Sequence, residues 1–255
     1  MSHDVDIHHA RAYFPRGLAQ PAGGFRFAMD ALLLAAFAVR RPLPAGCTML
    51  DLGCGCGVVA LACLLATPDL TATGVDVLPD QVASAKENAA MLGLADRFSA
   101  RVVDLAVVTE RHSLGVGSHA LVVANMPYRA SGTGRPCRDA ARQKALFAEP
   151  LTMPAFLAAA KQALTPGGGA ALVYPWDTRD ILLRALEQNG FFPQELLAVN
   201  TGNTKHSRCL IRAVHTSEAS GAALRVLPPL DLHRKQDGRF TEDALDFCPW
   251  LSRES

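Results

Sequence analysis

The 255-residue sequence has no Cys-x-x-Cys pair, no internal repeat, no low-complexity linker and almost no net charge, formally +1. Its seven cysteines lie scattered at 47, 54, 56, 63, 137, 209 and 248. That scatter lacks the pairing that builds zinc or redox sites, so free buried thiols are expected and no metal. A charge this close to zero gives the whole molecule no general attraction to nucleic acid. The longest apolar stretch, residues 28–39, is interrupted by Asp30 and falls short of the roughly 20 residues a membrane span needs. No basic start leads into an apolar core, which argues against a signal peptide and places the chain in the cytoplasm.

What is present suits a globular α/β protein. Apolar residues make up 49% of the chain and charged ones 19%, enough to bury a core. The length fits one domain of about 200 residues with decoration. Short apolar runs at 48–51, 71–76, 99–103, 119–124, 170–174, 195–200 and 208–214 read as strands. Helical stretches are expected at 27–40, 58–66, 79–92, 154–164 and 178–188. Such alternation predicts a doubly wound, mostly parallel seven-stranded sheet. The last two strands are joined by "TGNTKHS" without a helix and should form an antiparallel hairpin near one edge. The expected organisation is an N-terminal extension at 1–26, mobile over 1–10, a core domain at 27–216, and an appendage at 217–255 packed on it.

The first strand leads into "LDLGCGCGVVALA", which places Asp51, Gly53, Gly55 and Gly57 at alternate positions before a helix. Missing side chains there let a ligand lie against backbone amides. The spacing is not that of the dinucleotide fingerprint, whose third Gly seats a helix close to a pyrophosphate. An acid ahead of the glycines disfavours phosphate and favours a ligand bearing a positively charged amine or sulfonium. Asp76 ends the second strand, where a doubly wound sheet places an acid for two ribose hydroxyls. Asp104 follows the third and suits an adenine amino group. Three acids at the carboxyl ends of successive strands describe a pocket for an adenosine with an amino-acid tail.

On these residues the sequence resembles the class I S-adenosylmethionine-dependent methyltransferases. The resemblance implies a Rossmann-like methyltransferase fold, S-adenosylmethionine as cofactor and S-adenosylhomocysteine as product. Asp51, Gly53, Gly55, Gly57, Asp76, Asp104 and Asn125 are then the expected cofactor-binding set.

The fourth strand delivers Asn125, Met126, Pro127 and Tyr128 to the same edge. The exocyclic amine of adenine is a poor nucleophile because its lone pair is delocalised into the ring. The Asn125 side-chain oxygen and the Met126 backbone carbonyl would accept its two N–H bonds, so that positioning and electrostatics do the work and no strong base is needed. Pro127 stiffens the turn, and Tyr128 offers a face for a flipped-out base. The run resembles the Asn-Pro-Pro-Tyr motif of amino-methyltransferases, with Met126 replacing the first Pro. Ribosomal-RNA adenine dimethyltransferases carry an aliphatic residue there, and the role assigned to the position is a backbone carbonyl. Between 125 and 145 five basic residues, Arg129, Arg135, Arg138, Arg142 and Lys144, oppose Asp139 alone, a net +4. The first four are the candidate contacts to substrate RNA.

"FRFAMDALLLAAF", "SGTGR" and "DGRFTEDALDF" together resemble the bacterial tRNA adenine-N6 methyltransferases that modify the adenine next to the anticodon of valine tRNA. That resemblance implies that Asp30 lies beside the cofactor pocket, that the loop after Tyr128 faces RNA, and that tRNA is the partner. Two alternatives keep the cofactor: a glutamine N5-methyltransferase acting on a release factor, and an rRNA adenine methyltransferase. The glutamine enzymes usually carry a helical N-terminal domain, and fewer than 30 residues precede the helix expected at Phe27 here, which counts against a protein substrate. A DNA enzyme lacks length for a target-recognition domain. An inactive scaffold is opposed by the intact Asp51, Asp76, Asp104, Asn125 and Tyr128. Lys205, His206 and Arg208, between the last strands, read equally as a phosphate contact and as a solvated hairpin tip. His206 has no catalytic role in this scheme, and the sequence assigns no oligomeric state.

Overall fold

Branched and small apolar residues at 48–52, 71–76 and 119–124 pair side by side, and the helices between them cover both faces of the resulting sheet. The computed structural model describes residues 7–21, 26–126, 152–202, 204–215 and 223–253. Among these, eight strands form one sheet: β1 (Thr48–Leu52), β2 (Thr71–Asp76), β3 (Phe98–Val102), β4 (His119–Ala124), β5 (Leu164–Pro175), β6 (Phe191–Thr201), β7 (Thr204–His215) and β8 (Arg225–Asp231). Their order is β3-β2-β1-β4-β5-β7-β6-β8. β1 to β5 run parallel, and β7 inserts antiparallel between β5 and β6. The chain moves outward from β1 to β3, then returns to the other side of β1 with β4. The resulting switch point, at the carboxyl ends of β1 and β4, is where open α/β sheets hold ligands.

Alternation along each strand feeds two cores. Met49, Leu121 and Val123 join the side covered by α2 (Met29–Val39), α3 (Val58–Ala66) and α4 (Pro79–Met91). Leu50, Leu52, Val122 and Ala124 join the other, covered by α6 (Thr152–Ala163) and α7 (Arg179–Gln188). Every residue from Ala31 to Ala38 is buried, so α2 is apolar all round, as a helix enclosed by its neighbours must be. Short helices α1 (Ile7–Tyr13), α5 (Val108–Arg111) and α8 (Glu242–Phe247) complete the described elements, with three single turns of 3-10 helix.

Three features differ from the sequence reading. The tail supplies β8, which pairs parallel with β6 and adds an eighth strand to the expected seven, so the antiparallel hairpin is not at the margin of the sheet. β5 begins at Leu164, earlier than position 170, with a register shift between His119 and Leu121 of its neighbour. Residues 7–10, expected to be mobile, belong to α1, where the Arg11 guanidinium donates to the Leu92 and Gly93 carbonyls beyond α4.

Candidate active site

The glycines after β1 build a tight turn. Gly53, Gly55 and Gly57 have φ values of +70°, +53° and +86°. A Cβ on Gly57 would stand 3.1 Å from the Ala85 Cβ, so the glycine is what lets α3 approach α4. One on Gly55 would meet nothing nearer than the Gln81 Oε1 at 3.8 Å, which leaves this face of the loop open to a ligand. The Gly55 N–H donates to the Asp76 Oδ2 at 2.9 Å, and the Leu78 N–H to its Oδ1 at 3.0 Å. Asp76 therefore closes the loop, and each of its two oxygens has further lone-pair capacity to accept a hydrogen bond.

Asp51 is 1% exposed. Helix α3 starts after Gly57, which has no side chain to cap it, and Asp51 reaches across from β1 so that its Oδ2 accepts the Ala60 N–H at 3.2 Å. Burial pushes its carboxyl up to about 7; the Ala60 N–H opposes this and the negative Asp76 adds to it. Burial also raises Asp76. Among the described residues no arginine or lysine pairs with either acid. The Cys54 and Cys56 thiols of the loop are raised by burial, Cys56 to about 11, so they stay protonated and do not act as nucleophiles.

Asn125 follows β4. Leu52 pairs with Ala124 and with Val75, so Asn125 stands beside Gly53, with Asp76 on the other side, each about one strand spacing away at ~4.8 Å. Met126 is 1% exposed and lies in the apolar cluster that also holds Leu52, Val103 and Leu105. The methionine side chain thus anchors the turn by packing. Asp104 is half-buried beyond β3; its Oδ1 accepts the Ala106 N–H at 2.8 Å and its own N–H donates to Glu110 at 2.6 Å. Asp30, in the first turn of α2, is ion-paired at 2.8 Å with Arg208 of β7, on the β5–β7 side of the switch point. Pro127, Tyr128, Arg129, Arg135, Arg138 and Arg142 lie outside the described residues.

Two polar residues escaped the sequence reading. Gln81 and Asn88 lie on the buried stripe of α4 with Val82, Ala85 and Ala89. Asn88 donates to the Cys56 carbonyl at 2.9 Å and to the Ala19 carbonyl at 3.0 Å, and accepts the Ala19 N–H at 2.7 Å. It ties the segment after α1 to the glycine loop. The Gln81 Oε1 is buried beside Gly55 without a hydrogen-bond partner among the described residues. The available signal was polarity on an otherwise apolar helical face.

A glycine turn, two uncompensated acids and Asn125 thus meet at one switch point, and residues 29–188 match the family model described as the methyltransferase small domain. The chain belongs to that family. It is 34% identical over 164 residues to a tRNA1(Val) (adenine(37)-N6)-methyltransferase of Yersinia enterocolitica, a match covering 64% of this chain and 62% of the relative. The chain thus spans under two thirds of that relative's length. A protein of the same description from Serratia proteamaculans is 28% identical, over 84% of this chain and 78% of the relative. In fold, the chain is similar to the crystal structure of a predicted O-methyltransferase from Agrobacterium tumefaciens, with a TM-score of 0.69 at 19% identity, covering 87% of this chain and 96% of that one.

Proposed function

We propose that this methyltransferase moves a methyl group from S-adenosylmethionine to the exocyclic N6 amine of an adenine in tRNA, in the cytoplasm. The observation that carries the reading is the meeting of the Asp51–Gly55–Asp76 pocket and Asn125 across adjacent strands. The names of the Yersinia and Serratia relatives support adenine in tRNA as substrate.

The residues present fit the cofactor. Asp51 is a buried acid with no cation paired to it among the described residues, suited to a positively charged tail. Asp76 suits ribose hydroxyls and Asp104 an adenine amine, while the space above Gly55 and the orphaned Gln81 oxygen leave room and a hydrogen-bond acceptor. When bound, S-adenosylmethionine supplies an electrophilic methyl on a positively charged sulfur. The chain's own part is to hold the acceptor. The Asn125 side-chain oxygen and the Met126 carbonyl accept the two N–H bonds of the amine, which turns its lone pair toward the incoming methyl. Pro127 and Tyr128 complete this jaw, and Arg129, Arg135, Arg138 and Arg142 contact RNA phosphates. Asp30, held by Arg208, braces the side of the site facing β7.

The test is an assay with tritiated S-adenosylmethionine, offering tRNA, rRNA, duplex DNA and a release factor in parallel, followed by nucleoside analysis. Label recovered as 6-methyladenosine from tRNA is expected. Label in protein would replace this reading with glutamine methylation.

A further inference from the structure

Beyond the pocket, the carboxyl end of β5 meets the start of β7. Tyr174 and Pro175 of β5 pair with Cys209 and Arg208 of β7, which brings Trp176 and His206 together just past the ladder. Their ring centroids are 4.6 Å apart with a 42° tilt. The Arg179 guanidinium lies 4.1 Å over the Trp176 indole and donates to the Trp176 carbonyl at 2.9 Å, which fixes its orientation. All three residues are half-buried, so the cluster has an exposed edge.

His206 is the non-glycine residue with positive φ among the described residues, at +53°. Its N–H donates to the Asn200 Oδ1 at 2.6 Å, and Asn200 in turn donates to Asp231 of β8 at 2.5 Å, so the hairpin is held in this shape. A glycine would adopt that backbone without strain. What histidine adds is a ring against Trp176, and the His206 Nδ1 is buried without a hydrogen-bond partner among the described residues. A strained residue with an unmet polar atom at the rim of a ligand site suggests that a ligand completes it.

Resting on the reading of RNA as substrate, we propose that Trp176, Arg179 and His206 form a platform for the base of a nucleotide flanking the methylated adenine. Aromatic faces and arginine planes are the surfaces on which unstacked RNA bases lie, whatever their sequence. Distance assigns the platform to a neighbour and not to the target. Met126 is level with Tyr174, so Trp176 stands two residues past Met126 on the next strand, and His206 is one strand further. Those strand spacings amount to about 5–10 Å. The flanking base rests on the exposed edge of the Trp176–Arg179 pair with the Arg179 guanidinium beside its phosphate, and the imidazole swings off Trp176 to bring its Nδ1 to the base edge.

Trp176 and Trp250 are the two tryptophans of the chain, which allows a direct readout. In Trp250→Phe protein, emission then comes from Trp176 alone. Adding tRNA1(Val) should quench it, with the midpoint seen by filter binding. An anticodon stem-loop abasic at the nucleotide beside the target should bind without quenching, whereas one abasic at the target adenine should still quench. His206→Gly, which relieves the backbone, should keep the melting temperature and S-adenosylhomocysteine affinity while weakening RNA binding about tenfold; Trp176→Phe, which keeps an aromatic face, should stay within about threefold. RNA binding that leaves Trp176 emission unchanged, or wild-type RNA affinity in His206→Gly, would overturn the platform while leaving the methyltransferase reading intact. Quenching lost only with the target base would overturn the flanking assignment. Wild-type protein that binds no RNA would remove the platform and the parent reading together.

Discussion

Two buried carboxylates make opposite use of burial. Glu195, in β6, is 4% exposed and faces three arginines: Arg41 at 2.8 Å, Arg212 at 3.4 Å, and Arg225. Burial alone would raise its carboxyl, but Arg225 and Arg41 outweigh that and hold it below its ordinary value. Arg212 also donates to the Phe37 and Ala38 carbonyls at 2.7 and 3.0 Å, closing the end of α2. Asp51 is buried as deeply, accepts one backbone N–H, and is pushed up to about 7, with no arginine or lysine paired to it among the described residues. A charge that the fold has already paired is structural. One that the described residues leave unpaired at a switch point is, on the proposed reading, the charge that a cationic ligand meets.

Substitutions at the site and at Glu195 should separate the two kinds of burial. Asn125→Ala should lower kcat by about 10²–10³, the usual loss for one aligned group at the reacting atoms, while cofactor affinity stays within about threefold. Turnover near the wild-type rate would remove Asn125 from the jaw. Glu195→Ala should cost about 3 kcal/mol of stability, because Arg212 is left buried without its partner, and should leave cofactor affinity unchanged in a binding titration. A large loss of cofactor binding there would erase the distinction between the two acids. Gly55→Val combines a left-handed backbone with a side chain in the ligand's space and should abolish cofactor binding while the protein stays folded by circular dichroism. Neutralising Arg135, Arg138 and Arg142 together should flatten the salt dependence of RNA binding by about one unit of slope for each phosphate no longer neutralised. An unchanged slope would return the loop to solvent.

The contrast between these acids also marks what a sequence can disclose. Helix α3 begins and ends at the expected Val58 and Ala66, since glycines bound it on one side and its apolar run is unbroken. The three acids and Asn125 were legible because strand ends at a switch point are shared destinations. Strand β8 was not, because it contains Pro228 and Pro229, which cannot donate to a ladder and suit only an edge. Neither was the Trp176–His206 contact, which exists only because β7 inserts between β5 and β6. Position alone made Asp51 a candidate ligand group. Its second task, capping α3, depends on the turn geometry that brings Ala60 within reach.

The most direct measurement is the affinity for S-adenosylmethionine as a function of pH, in wild-type protein and in Asp51→Asn. A cationic ligand binds the ionised pocket, so its presence lowers the carboxyl pKa, and protons are released on binding wherever the free pocket is protonated. Affinity should therefore be constant above about pH 8 and fall as pH drops through about 7, up to tenfold per unit, with the step belonging jointly to Asp51 and the neighbouring Asp76. Asp51→Asn should bind more weakly at pH 8 and lose most of that slope. Affinity that is flat from pH 8 to pH 5.5 in the wild type, or undiminished in Asp51→Asn, would contradict the assignment of Asp51 as the acid the fold reserves for its cofactor.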